Sequence, residues 1–127
     1  HEIRIGEFAL TVGLTPAVVK ASAGAVEYVP VAMVTNISQA ILTLKKNSVW
    51  ATGIDMTGEQ DYSQVDFNLP TAIVIGGEGK GLSDLARKRC DSIASIPMKG
   101  KVSSLNASVA AAVVMYEALR QRTLRKA

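Results

Sequence analysis

The stretch "IVIGGEGKGLS", Ile73 to Ser83, decides how the chain is read. Ile73, Val74 and Ile75 make a short apolar run of strand type. Glycines follow at 76, 77, 79 and 81, and Ser83 with Asp84 supplies side chains suited to open a helix. A strand that passes through a glycine-rich turn into a helix is the outline of a phosphate cradle, because the backbone N–H groups of such a turn attract anions. Glu78 stands in the middle of the turn and argues against an anionic ligand. The nucleotide motifs fail as well. Gly76 and Gly81 have the separation of G-x-x-x-x-G-K-[ST], but Leu82 occupies the lysine position. In the G-x-G-x-x-G register, Gly77-Glu78-Gly79-Lys80-Gly81-Leu82 puts leucine at the last glycine. The turn is either structural or a site for a ligand without phosphate.

Outward from this stretch, extended and helical runs alternate. "VEYVPVAMV" (Val26 to Val34), "SVWATGI" (Ser48 to Ile54), "TAIVIGG" and "DSIASIPM" are apolar runs without polar alternation, which predicts a mostly parallel sheet covered by helices on both faces, an α/β fold. "NISQAILTLKK" predicts a helix capped by Asn36, and "SDLARKR" a short one capped by Ser83 and closed by three cations. Leu105 to Arg122 reads as a long helix with Leu105, Val109, Ala112, Val113, Tyr116 and Leu119 on one face. Ala111, Val114, Met115 and Ala118 make much of the other face apolar too, so the sheet would cover one side and a second subunit the other, unless the helix lies inside a larger core. Asp55 to Pro70 is polar and turn-rich, and reads as a surface connection within one domain.

In a parallel sheet ligands bind outside the carboxyl ends of the strands. That edge is expected to collect "ATG" after Trp50, the glycine turn after Ile75, and "MKGKVSSLN" after Pro97. The third segment carries more polar side chains than one helix cap requires, although Ser104 or Asn106 acting as a simple N-cap would account for part of it.

Composition bounds the rest. The 127 residues are 48% hydrophobic and 20% charged, which suits one globular domain. The net charge of +3 permits an anionic partner, but Arg87, Lys88, Arg89 and the group Arg120, Arg122, Arg125, Lys126 stand where helices should end, and cations there complement the helix dipole. The single cysteine, Cys90, excludes an internal disulfide and fits a reducing, cytoplasmic setting, no Cys/His cluster has metal-ligand spacing, and His1 is given no role. No run approaches the roughly 18 apolar residues of a membrane span, and the first residues lack the pattern of a signal peptide.

The residues from "IVIGGEGKGLSDLARKRCDSIASIPMKGKVSSLNASVAAAVVMYEALRQR" closely resemble the last two sequence motifs of the SpoU (TrmH) family of RNA ribose 2′-O-methyltransferases, and "VGLTPAVVKASAGAVEYVPVAMVTN" resembles the branch acting on guanosine in bacterial large-subunit ribosomal RNA. The resemblance runs from about Val12 to about Arg122. It implies a SPOUT-type domain with a trefoil-knotted S-adenosylmethionine site. It also implies RNA, ribosomal or transfer, as the partner of the intact enzyme, and a homodimer packed through the long helix around Ala110 to Tyr116. By the resemblance, Gly76, Ile96 and Leu105 hold the methyl donor, with Gly77, Met98 and Thr52 beside them, and Glu78, Ser104 and Asn106 are the polar residues of the active centre. A donor built from neutral adenosine and a cationic sulfonium tolerates Glu78, which is expected to orient backbone and Asn106, not to act as a general base.

The family's first motif, which supplies an arginine and an asparagine for the 2′-hydroxyl proton and the adjoining phosphate, does not occur in the sequence. Residues 1–11 do not resemble the family, so the chain is expected to be the C-terminal part of such a domain, residues 12–127, truncated at its N-terminal side and weak or silent in turnover. "EIRIGEFAL" is expected to fill part of the gap, in its own chain or by exchange. The rival readings are a non-catalytic donor-binding or dimerisation module of the same fold, and a generic nucleotide-binding domain.

Overall fold

The computed structural model describes residues 8–10, 31–77, 81–99 and 106–126. Among them six strands and three α-helices follow in the order β1 (Phe8–Leu10), β2 (Val31–Met33), α1 (Ile37–Lys46), β3 (Trp50–Ile54), β4 (Gln60–Asp61), β5 (Thr71–Ile75), α2 (Asp84–Arg89), β6 (Ser92–Ser95) and α3 (Ala107–Lys126), with a 3-10 turn at Tyr62–Gln64. β1 and β2 of the same chain pair in parallel, Phe8 opposite Val31. The main sheet has the order β4-β6-β3-β5, and every pairing in it is parallel.

The local reasons for these elements are those the side chains offer. Asn36 caps α1 by accepting from the Gln39 backbone N–H at 3.0 Å, and Lys45 and Lys46 lie at its negative end. Ser83 caps α2 by accepting from Ala86 N–H at 3.2 Å, and Arg87, Lys88 and Arg89 close it. Alternation along the strands divides the apolar side chains between two faces. On one, Ala51 and Val74 meet Ile41 of α1 and Leu82 and Ala86 of the α2 segment. On the other, Ile54 and Ala94 meet Val65, Phe67 and Val114 of α3. Helices therefore cover both faces, as the apolar runs predict.

Two expectations change. Asp55 to Pro70 is more than a surface connection: it contains β4, and its Val65 and Phe67 are buried, Phe67 wholly so. In α3 the inward residues are Ala110, Val114 and Glu117, not the face running from Val109 through Tyr116 to Leu119. The helix is oriented by polar bonds that an apolar count does not register. Gln121 accepts from Phe67 N–H at 2.9 Å and donates to the Val65 carbonyl at 2.9 Å, while Arg122 donates to the Phe67 carbonyl at 2.8 Å. Val109, Tyr116 and Leu119 are left exposed, at 48%, 72% and 58%.

Candidate functional site

Parallel pairing brings the carboxyl ends of β3, β5 and β6 to one edge, with β3 between the other two. The exits of β5 and β6 are thus about 10 Å apart, two strand spacings, and the exit of β3 lies between them. Three segments leave this edge: Asp55 to Gly58 after β3, Gly76 onward after β5, and Ile96 onward after β6.

The first segment differs from expectation. Ala51, Thr52 and Gly53 are not a loop but the middle of β3, because their backbones pair with Ala72, Ile73 and Val74 on one side. Thr52 is fully buried, and its hydroxyl lies 3.2 Å from the Ser92 hydroxyl on β6. It stands within the sheet, two residues short of the edge, and does not line it.

The residue that occupies the edge is Asp55. Its backbone N–H donates to the Ala94 carbonyl at 3.0 Å, which ties the end of β3 to β6. Its Oδ1 accepts from the Thr57 N–H at 3.0 Å and the Thr57 hydroxyl at 2.8 Å, and lies 2.9 Å from the Arg87 guanidinium of α2. Its Oδ2 accepts from the Leu82 N–H at 3.2 Å. Arg87 also donates to the Thr57 hydroxyl. The Asp55 side chain is only 8% exposed. Burial alone pushes its carboxyl upward, but the bonds from Thr57 and Leu82 and the Arg87 charge outweigh burial and hold it at about 2. The Asp-x-Thr pattern at 55–57 carries the local signature of a side-chain-closed turn. Its reach to Leu82 and Arg87 carries no local signature.

The glycine turn is closed at its base, where Gly81 N–H donates to the Gly77 carbonyl at 3.1 Å. Gly81 has φ +67, a left-handed conformation that suits glycine, and a Cβ there would lie 2.6 Å from Asp55 Oδ2. A Cβ on Gly76 would strike the Gly81 carbonyl group and the Leu82 nitrogen, whereas one on Gly77 would meet nothing within 4 Å. Gly76 is therefore the packed side of the turn, and Gly77 the open side. Glu78, the polar residue expected at the centre of the turn, lies outside the described residues.

On the third segment, Ile96 is half-buried against the core built around Phe67 and Val114, and Met98 is half-buried too. Ser104 and Leu105 lie outside the described residues. Asn106 caps α3: its side-chain oxygen accepts from the Ser108 N–H at 2.8 Å and the Val109 N–H at 3.4 Å, and its backbone carbonyl accepts from Ala110 N–H. The capping role that the sequence left open for Asn106 is present. Gly76 and Gly77 thus leave this edge after β5 and Ile96 and Met98 after β6, on the two sides of the β3 exit, while Asn106 stands at the head of α3. Among the described residues no group of acidic, histidine or cysteine side chains has the arrangement of a metal site, and no helix is long and apolar enough to cross a membrane.

Comparison with known proteins bears on this edge. Residues 5–116 match the SpoU rRNA Methylase family. YacO of Bacillus subtilis, assigned to the TrmH family of tRNA/rRNA methyltransferases, is 49% identical over 111 residues, 87% of this chain and 45% of that protein. The crystal structure of the SpoU methyltransferase AviRb from Streptomyces viridochromogenes, in complex with the cofactor AdoMet, superposes with a TM-score of 0.82 at 34% identity, covering 92% of this chain and 49% of that one. The structure of an RNA 2′-O ribose methyltransferase gives a TM-score of 0.84 at 29% identity over 93% of this chain and 46% of its own. The chain spans less than half the length of the curated relative.

Proposed function

We propose that this chain, which belongs to the SpoU rRNA Methylase family, is the methyl-donor-binding part of a methyltransferase that acts on the ribose 2′-hydroxyl of ribosomal or transfer RNA, with S-adenosylmethionine as donor. The observation that carries the reading is the chemistry offered at the carboxyl edge of the sheet. The open main chain at Gly77, the packed main chain at Gly76 and the aliphatic side chains of Ile96 and Met98 can hold an uncharged adenosine. The Arg87 guanidinium is already paired with Asp55, so it is not offered to a phosphate. Among the described residues this donor set suits a sulfonium-bearing nucleoside.

When bound, S-adenosylmethionine supplies an electrophilic methyl group. The work left to the protein is to hold donor and ribose in line, exclude water and assist removal of the hydroxyl proton. Gly76, Gly77, Ile96, Met98 and Leu105 are proposed to hold the donor. Glu78, Ser104 and Asn106 are proposed as the polar groups of the centre, Asn106 while its side-chain oxygen caps α3. Proton removal belongs, by the family resemblance, to an arginine that this sequence does not contain, so turnover by this chain alone is expected to be absent or very weak.

The test is calorimetric titration with S-adenosylmethionine, its demethylated product and ATP, beside a labelled-methyl assay on ribosomal and transfer RNA. Binding of the two sulfur ligands without ATP supports the reading, and ATP binding without either of them overturns it. Robust transfer would show that the proton argument is wrong. A second copy of the chain is proposed to cover the exposed groove on α3 lined by Tyr62, Val109, Ala112, Val113 and Tyr116, giving a homodimer. Light scattering over a concentration series checks this, and a soluble monomer at micromolar concentration refutes it.

A further inference from the structure

Asp55 ties the end of β3 to β6 and to the closing peptide of the glycine turn, beside the edge at which the donor is proposed to bind. Its carboxylate is largely covered and fully committed. Oδ1 serves Thr57 and Arg87, and Oδ2 serves Leu82. A fold that needed only stability at this point has simpler solutions, such as an apolar contact like the one Leu82 makes with Ala51 and Val74 on the same face. A carboxylate is instead joined to Thr57 of its own loop, to the Leu82 N–H beside the glycine turn and to Arg87 of α2, and its presence leaves room only for glycine at position 81. The contacts run in series. Asp55 Oδ2 sets the Leu82 N–H and abuts the Cα of Gly81. The Gly81–Leu82 peptide in turn packs on the Cα of Gly76.

We propose that Asp55 is the positioning residue of the glycine turn: it fixes the closing peptide Gly81–Leu82 against the end of β3, and through that peptide sets the place of the Gly76 main chain where the donor binds. Arg87 is its brace. The guanidinium holds Oδ1 and the Thr57 hydroxyl together, so that the carboxylate is oriented from the α2 side. The inference rests on the donor-binding reading for its ligand, but the arrangement of the turn can be read without any ligand.

The experiment compares wild type with Asp55→Asn and with Val49→Ala. Val49 is buried just before the amino end of β3, away from the carboxyl edge, and its truncation serves as a control for general loss of stability. Two quantities are read under conditions where all three are folded: affinity for S-adenosylhomocysteine by calorimetry, and hydrogen exchange of the Leu82 amide by NMR. Asp55→Asn is expected to weaken binding about tenfold, the scale of a lost charge-assisted bond, and to speed Leu82 exchange. Val49→Ala is expected to stay within about twofold on both. Equal affinity in Asp55→Asn and wild type overturns the proposal, as does an equal loss in Val49→Ala.

If Asp55→Asn does not fold, Arg87→Met takes its place, because it removes the brace from a half-exposed position. Weaker binding and faster Leu82 exchange then support the proposal, and no change overturns it. If wild type binds no sulfur ligand, the donor-binding reading fails by itself. Leu82 exchange then decides on the positioning role: faster in Asp55→Asn than in Val49→Ala supports it, and unchanged overturns it.

Discussion

Acid should single out Asp55. Its carboxyl is held at about 2 in the folded chain against an ordinary value of 3.8. The folded pKa lies below the unfolded one, so the group contributes stability above about pH 4, and that contribution is lost as pH falls through the folded value. At about 1.4 kcal/mol per unit, the shift corresponds to about 2 kcal/mol. The side chain is only 8% exposed, so solvent screening leaves most of this in place. The groups that face it are Thr57, the Leu82 N–H and the Arg87 guanidinium.

The measurement is urea unfolding, followed by far-ultraviolet circular dichroism at fixed salt, of wild type and Asp55→Asn from about pH 6 to about pH 2. A carboxamide resembles a protonated carboxyl in having one accepting oxygen. Asp55→Asn should therefore be less stable by about 2 kcal/mol at the upper end, with the gap closing towards the lower end. A gap that stays constant across the range would refute the assignment of that stability to the charged carboxylate.

Other outcomes follow from the packing. Phe67→Ala, which empties a wholly buried position in the core shared with Val114, should cost about 3–5 kcal/mol in the same unfolding assay. Gln121→Leu leaves the Phe67 N–H and Val65 carbonyl without their side-chain partner and should cost about 2 kcal/mol, although it removes no apolar contact. The Cys90 thiol is pushed up to about 11, by burial first and by the Asp91 charge second, so it should resist alkylation in the folded protein at mildly alkaline pH and react on unfolding. Rapid modification of folded protein would contradict this.

What was legible in the sequence is what depends on neighbours along the chain. Asn36 and Ser83 cap their helices through bonds to residues three positions on, so composition and order sufficed to find them. The parallel sheet was legible because strands covered on both faces have no reason to alternate. The buried face of α3 was not. A helix apolar nearly all round gives no direction by periodicity, and its orientation is fixed by Gln121 and Arg122, residues that a hydrophobic count assigns to solvent. Val65 and Phe67 were hidden for a related reason, since each stands alone among polar neighbours and is inward only because α3 arrives from far along the chain. At the candidate site the turn through Gly76 and Gly81 and the Asn106 helix cap were legible from composition. Thr52 was drawn out of its strand by the small residues beside it, and Asp55 was missed because its partners at Leu82 and Arg87 are distant in sequence.

The dependence of Phe67 on α3 also sets an order of events during synthesis. The helices on the first face, α1 and α2, lie in the chain among the strands they cover, so that side can assemble as the strands emerge. Among the described residues the second face is covered by α3, so until Val114 and Gln121 have been made that cover for Ile54, Phe67 and Ala94 is missing. The nascent chain therefore passes through a stage with one finished face and one bare one. Closing it includes contacts such as that of Phe67 with Gln121, 54 residues apart, which are slow to form. This is the stage at which a ribosome-bound chain most needs shielding from its neighbours, and it ends only when the final helix docks.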